Sequence, residues 1–212
     1  FNPPFHYEYA FLQAELSFKE AKHDAAGKFY FESLSKVDKN VTAEFTDKLF
    51  KSMLSLANEP GFQDKVYFEK SHVAYMNHYD KKPNVIPIYE ALFKFYQSEK
   101  NWSSSENLLV RFHTNMPKEF KIQKEMARVV LNNFALIKDI PRFNFWIIKL
   151  KKGFLTFDKA YIDANVKILA QLLFERAQEK EKRKEYAGAI AEYEPIVENK
   201  EYPNEVRADS MY

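Results

Sequence analysis

The spacing of the apolar residues limits the possible folds of this chain more than any other feature. Phe45, Leu49, Met53 and Leu56 recur at the three- or four-residue spacing of one helix face, as do Leu12 and Leu16 near the start. The same period continues along almost the whole sequence. Strict alternation of apolar and polar residues, which indicates a half-buried strand, is not found. The pattern therefore predicts an all-α protein.

Helix stop and start signals divide this pattern into short helices. Seven of the nine prolines fall between periodic segments or in a first turn, Pro87 also fits a first turn, and Pro195 does not. Segment 103–106 has the sequence of a capping box, and Lys151, Lys152 and Gly153 indicate a helix end. The predicted helices cover residues 5–22, 25–38, 41–57, 63–79, 85–99, 103–115, 118–138, 141–152, 157–183 and 186–199, and another begins at 204.

Successive helices are expected to pair as antiparallel hairpins. The apolar stripe of each hairpin is too narrow to fold alone, so neighbouring hairpins must stack to bury it. Ten helices make about five hairpins in a single solenoid spanning residues 1–212. The approximate units are 5–39, 41–80, 85–116, 118–153 and 157–203, followed by the start of a further helix at 204–212.

The last complete unit has the clearest repeat pattern. Its first helix, helix A, carries Ala177, and its second, helix B, opens with Tyr186 and Ala189, a pattern that resembles the tetratricopeptide repeat. Small residues at these two positions allow the helix backbones to cross closely. Further matches in this unit are Leu173, Tyr193, Ile196 and Pro203; Ala14, Ala26 and Tyr30 mark a first unit, and Tyr96, Trp102, Ser105, Leu109 and Pro117 mark a central one.

The repeat period is longer than the family's usual one. The helix-B anchor recurs near residues 26, 66, 105, 144 and 189, at separations of 40, 39, 39 and 45. The tetratricopeptide repeat has a period of about 34 residues, whereas HEAT and armadillo repeats have periods of roughly 40 to 47. Helical repeats of the HEAT or armadillo type are therefore the alternative architecture.

The resemblance implies a right-handed superhelix that acts as a non-catalytic interaction scaffold, binding a protein or peptide in a concave groove lined by the A helices. Chaperone-binding members clamp a terminal carboxylate with cationic and amide side chains, but Phe11 and Glu15 occupy the corresponding positions here, so such a clamp is not expected. The groove residues carried over by register are Glu8, Phe11, Glu15, Phe18 and Lys19 in unit one, Glu90, Lys94, Gln97 and Ser98 in unit three, and Phe174, Gln178, Glu181 and Lys182 in unit five.

A helical module that acts on or binds cell-wall polysaccharide is the alternative function, with groove carboxylates as acid and base and aromatic rings stacking on sugars. Glu8 and Glu15 lie seven residues apart on one helix face, but a solvated groove wall is the simpler interpretation of this pair. Only four glycines occur, and they form no phosphate-binding loop. We therefore predict no enzymatic activity and no cofactor.

The net charge and the spacing of the histidines limit the classes of partner that the chain is expected to bind. A net charge of +2 does not indicate a nucleic-acid partner, and His72 and His78 do not have the i, i+4 spacing of a helical metal site. Neither a metal nor a nucleic acid is expected. His113 is predicted to be a partly buried, hydrogen-bonded side chain.

Cysteine is absent, which excludes disulfides and favours a periplasmic or envelope-associated protein over a cytoplasmic one. Such a protein would be part of a larger envelope assembly. The longest apolar run, 143–148, is far shorter than the roughly 18 to 20 residues that span a bilayer. The sequence begins at Phe1 and ends at Tyr212 within a helical pattern, so we expect it to be part of a longer repeat protein.

Overall fold

The computed structural model describes residues 6–211, and this part of the chain is helical without strands. Every predicted helix is present, and the largest differences in a bound are at the ends of α1 and α2, predicted at residues 22 and 38 and observed at 19 and 35. The predicted helix start at residue 5 and the continuation to residue 212 lie outside the described residues. The α-helices are α1 (His6–Lys19), α2 (His23–Ser35), α3 (Ala43–Ala57), α4 (Lys65–His78), α5 (Ile86–Ser98), α6 (Trp102–Asn115), α7 (Phe120–Leu136), α8 (Ile140–Lys151), α9 (Lys159–Lys182), α10 (Tyr186–Glu198) and α11 (Asn204–Asp209), and a 3-10 turn covers Pro83–Val85.

Short polar side chains begin several helices by accepting a hydrogen bond from a first-turn backbone N–H. The predicted capping box at 103–106 is wrong, because the N-cap of α6 is Asn101, whose side-chain oxygen accepts from the N–H of Ser104 at 3.1 Å. Asn101 precedes the three serines in the sequence, so the helix has already begun when Ser103 follows. The corresponding caps of α3, α4, α8 and α9 are Thr42, Asp64, Asp139 and Asp158.

One turn geometry recurs between helices. Ala21, Lys100, Lys138 and Lys184 each follow a helix with a left-handed φ, between 54° and 63°. At Lys138, for example, its own N–H bonds to the carbonyl of Ala135 at 3.1 Å, and the next N–H bonds to the carbonyl of Phe134 at 2.9 Å. This pair of bonds is the Schellman motif. It therefore follows α1, α5, α7 and α9, which are four of the five predicted A helices.

Gly153 makes the same turn after α8, with a φ of 81°, as predicted from the Lys151, Lys152, Gly153 sequence. Its N–H donates to the carbonyl oxygen of Leu150 at 3.0 Å, and the N–H of Phe154 donates to the carbonyl oxygen of Lys149 at 3.1 Å. Glycine adopts this conformation without the steric cost that a Cβ brings.

The helices form two compact units, the first ending at Phe95 and the second beginning at Tyr96. In the first unit, α1 packs against α2 and α3, α2 against α3, and α3 against α4. Ala14 and Ala26 are fully buried there. The core of this unit also contains Phe11, Tyr30, Leu49, Phe50, Met53, Leu56, Phe62, Tyr67 and Tyr79.

In the second unit, α6 to α11 pack in consecutive pairs, and α9 also contacts both α7 and α11. Trp146 is fully buried, and its indole N–H donates to Glu106 at 2.8 Å, which joins α8 to α6. Ala177 and Ala189 are buried in the α9 and α10 pair, as predicted. Pro195 lies inside α10.

Three details of the predicted register are wrong. Leu12 and Leu16 are 63% and 58% exposed, because α1 buries the face that carries Ala10, Phe11, Ala14 and Ser17 instead. Val66 and Asn144, the weaker helix-B anchors, are exposed, while the adjacent Tyr67 and Phe143 are buried. The buried positions beside these two predicted anchors are therefore occupied by large aromatic residues.

Candidate binding cleft

The groove residues predicted on α1 do not form one open surface. Phe11 is only 3% exposed, and its ring meets Phe45 of α3 edge-on at 5.4 Å between centroids. The prediction that Phe11 faces a groove is wrong, because α1 packs against both α2 and α3 and this side chain lies in the core between them. Phe18 is half-buried, with its ring 5.8 Å from that of His23.

Glu15 is a hydrogen-bond partner within the first helix pair. The hydroxyl of Tyr30 donates to its carboxylate at 2.5 Å. Burial, together with this acceptor, raises the pKa of the Tyr30 hydroxyl. Glu8 is half-buried and Lys19 is exposed. Glu15 therefore links α1 to α2 and is not only a solvated residue in the wall of a groove.

The predicted residues on α5 differ in their surroundings. Glu90 and Lys94 are exposed and belong to the first unit. Gln97 belongs to the second unit, where its side-chain oxygen accepts a hydrogen bond from the amide of Asn133 on α7. Ser98 is exposed at the end of α5. Gln97 therefore contributes to helix packing.

The predicted residues on α9 line a cleft, here named the C-terminal cleft. It lies between α9, α10 and residues 209–211, and its volume is about 570 Å³. Phe174, Gln178 and Glu181 form its α9 wall. Lys182 lines a smaller adjoining depression of about 290 Å³, which shares Gln178 and Glu181 with the cleft. Three of the four residues predicted for unit five therefore come together.

The α10 wall of the cleft was not predicted, because only A helices were expected to line a groove. Tyr186, Ile190 and Tyr193 lie at i, i+4 and i+7 on α10, so they share one helix face. Tyr186, Ile190 and Met211 are 59%, 56% and 63% exposed. The spacing of the three α10 residues was the sequence signal that could have identified this face.

Local contacts hold the two walls of the cleft in place. Ala177 and Ala189 allow α9 and α10 to pack closely, and the left-handed Lys184 reverses the chain between them. The Tyr193 hydroxyl donates to Glu181 at 3.2 Å, and its ring centroid lies 5.6 Å from that of Phe174. Burial, followed by the Glu181 carboxylate, raises the pKa of Tyr193. These contacts join the two walls of the cleft.

The carboxylate of Glu192 on α10 pairs with two cations on α9 and does not line the cleft. Lys180 donates to it at 2.8 Å, and Arg176 donates to its other oxygen. Burial disfavours ionisation of Glu192, but the hydrogen bonds and charges of these two cations outweigh burial and lower its pKa. The helix pair is thus stabilised by a charge network outside the cleft.

A second cleft, of about 700 Å³, lies between α2 and α4 in the first unit. It is lined by Phe31, Phe62 and Tyr67 together with two acidic and two basic residues, which are Asp24, Asp64, Lys28 and Lys70. Phe62 and Tyr67 belong to the core of this unit. Their rings are therefore mostly occupied by internal packing.

Two of the histidines, His72 and His113, are held by local contacts. His72 is buried against Phe68, with its Nδ1 2.8 Å from the Phe68 carbonyl oxygen, and burial lowers its pKa. His113 is half-buried, with its Nδ1 2.9 Å from the side-chain oxygen of Gln123, which confirms the predicted environment. Within residues 6–211, no three His, Asp or Glu side chains are grouped so that they could hold a metal ion.

The chain was compared with protein-family models, with curated protein sequences and with solved structures, and nothing matched it. None of the helices in the described part of the chain combines the length and the apolar character needed to cross a bilayer.

Proposed function

We propose that this chain is a non-catalytic binding module that holds a peptide, or a peptide-like segment of another protein, in the C-terminal cleft. The observation that carries the proposal is the exposed apolar face of α10 beside the polar groups of α9. Ligand sites are typically concave and apolar, with a few polar groups that orient the ligand. A cleft of about 570 Å³ is within the size range of such sites.

We further propose that the helices form tetratricopeptide-like hairpins in a right-handed solenoid. The contacts of α1 with α3, of α7 with α9 and of α9 with α11 support it, because stacked hairpins bring successive A helices together. The recurring turn also supports it, since its residues lie 79, 38 and 46 positions apart, consistent with a repeat of about 40 residues.

We favour a binding module over a polysaccharide-cleaving enzyme because of the surroundings of Glu192 and Glu181. A glycosidase general acid requires a carboxyl group with a raised pKa. Glu192, which pairs with two cations, has a lowered pKa, and Glu181 in the cleft accepts a hydrogen bond from Tyr193. The periplasmic or envelope location remains a prediction.

The test begins with a random phage-displayed peptide library selected on the immobilised chain. Selected peptides are labelled, and their dissociation constants are measured by fluorescence anisotropy. Replacement of Ile190 by Ser should weaken binding at least about tenfold, the equivalent of losing about 1.4 kcal/mol of contact. The control is Ile148→Ser on α8, because this isoleucine is also exposed but does not line the cleft.

Both variants are checked for helicity and thermal midpoint before binding is compared. Peptides that bind the Ile190→Ser variant as tightly as the wild type would place the binding surface elsewhere and refute the proposal. Equal weakening by both isoleucine changes would refute it as well.

A further inference from the structure

We infer that the occupant of the C-terminal cleft is an amphipathic protein segment whose apolar side chains are accompanied by Lys or Arg. The inference rests on the proposed function and adds the chemistry of the partner. It follows from three independent properties of the cleft: the sign of its charges, the helix ends at which those charges lie, and the apolar face between them.

The charged groups of the cleft are all acidic. Glu181, Glu194, Glu198 and Asp209 line it, and none of its described lining residues is Lys or Arg. Within residues 6–211, Glu194, Glu198 and Asp209 have no ion-pair partner. Carboxylates gathered in a concave surface reinforce one another's field and attract a cationic partner.

The nearby cations are oriented toward other groups. Arg176 and Lys180 pair with Glu192, and Arg207 on α11 donates to the carbonyl oxygen of Val197 at 2.9 Å. Lys182 is exposed in the adjoining depression, outside the cleft itself. Within the described part of the chain, none of these four cations forms an ion pair with a carboxylate that lines the cleft.

Two of the carboxylates also lie where a helix disfavours negative charge. Glu198 is the last residue of α10, whose last turn has no basic residue, and Asp209 is the last residue of α11. A helix C-terminus carries a partial negative charge, so cations are stabilising there and anions are not. A bound Lys or Arg would relieve both the mutual repulsion and this unfavourable placement.

The apolar face requires the cationic partner to be amphipathic. Tyr186, Ile190 and Tyr193 form one side of the cleft, with Phe174 and Met211 beside them. A polyamine or another purely polar cation would leave these side chains exposed to water. An amphipathic helix or strand buries them and directs its basic residues to the acidic helix ends, as in known groove-binding peptides.

Two labelled peptides of about four helical turns test the inference. Both carry leucines at the same i, i+3, i+4 and i+7 positions, one with Lys and the other with Glu at the remaining flanking positions. Binding to the full chain is measured by fluorescence anisotropy at low and at physiological salt. The lysine peptide should bind at least about tenfold more tightly than the glutamate peptide, and added salt should reduce the difference.

The double variant Glu194→Gln, Glu198→Gln should lose most of this preference. The matched control is Glu125→Gln, Asp163→Asn, which removes the same charge from exposed positions of the same unit outside the cleft and should keep the preference. The Ile190→Ser variant should weaken binding of the lysine peptide. If spermine at the same concentration as the lysine peptide displaces it, the cleft recognises charge alone. That result would overturn the inference that the partner must be amphipathic.

The outcomes separate the two proposals. Tighter binding of the glutamate peptide, or equal binding of both peptides with sensitivity to Ile190→Ser, would overturn the inference and leave the proposed function standing. Binding of the lysine peptide that is insensitive to both cleft variants would place the peptide elsewhere and overturn the inference. Failure of the lysine peptide to bind would also overturn the inference. The selection of peptides from the library tests the proposed function independently of this outcome.

Discussion

At position 27 in α2, a Cβ atom would lie 2.9 Å from Cε2 of the Tyr67 ring on α4. That ring cannot move away easily. Its hydroxyl donates to the carbonyl of Met53 at 3.3 Å, and its edges meet Phe31 and Phe62, each at 5.3 Å between centroids. The packing of the Tyr67 ring against α2 therefore depends on the missing side chain of Gly27.

Replacing Gly27 by Ala should lower the free energy of unfolding by about 1 to 3 kcal/mol, because overpacking outweighs the roughly 1 kcal/mol that Ala gains over Gly in a helix. Gly188→Ala in α10 is the control, since the nearest atom to its added Cβ is Cδ of Lys180 at 3.5 Å. That change should raise stability by up to about 1 kcal/mol. Urea denaturation measures the free energy of unfolding of both variants. A Gly27→Ala variant more stable than the wild type would show that the Tyr67 contact is not tight.

At the level of helix pairs, α9 and α10 depend on two small residues. Ala177→Leu or Ala189→Leu should destabilise the protein by about 1 to 3 kcal/mol, because both alanines are buried and a larger side chain would force the helices apart. The exposed-face control Lys182→Ala should stay within about 0.5 kcal/mol of the wild type. Equal urea midpoints for all three variants would contradict the packing described for this pair.

The helices themselves could be predicted from the sequence because period, proline positions and turn residues are local properties. The buried face of α1 could not, because both of its faces carry large apolar residues: Phe11 on one, Leu12 and Leu16 on the other. Which face is buried depends on where α2 and α3 pack, and this is a non-local property. Phe174, Gln178 and Glu181 could be identified as cleft residues from the helix-A register, whereas the contribution of α10 was missed because only A helices were expected to line a groove.

For the molecule as a whole, His72 makes stability depend on pH. Burial, the larger effect, lowers its pKa in the folded state, although the hydrogen bond to the Phe68 carbonyl opposes this. In the unfolded chain the pKa returns to about 6.5, so the unfolded state takes up a proton first as the pH falls. This contribution to stability is therefore complete above about pH 6.5 and is lost progressively below it.

We expect the free energy of unfolding, measured in urea between about pH 7.5 and 5.5, to fall less steeply for His72→Gln than for the wild type. His78→Gln is the control, because His78 is exposed in the same helix, and it should retain the wild-type slope. Identical slopes for the His72 variant and the wild type would show that the buried ring does not control the acid side of the stability curve.

The recurring left-handed turns have a consequence for proteolysis. Lys100, Lys138 and Lys184 are exposed between helices, where trypsin would be expected to cut first. A protease, however, must bind its substrate in an extended conformation, and each of these lysines is held in a compact turn by its positive φ and by two backbone hydrogen bonds. Cleavage there requires the turn to open. In a brief native digest followed by mass spectrometry, the first cuts should fall after loop lysines without this geometry, such as Lys39 and Lys118, and the peptide bonds after the three turn lysines should remain intact for longer.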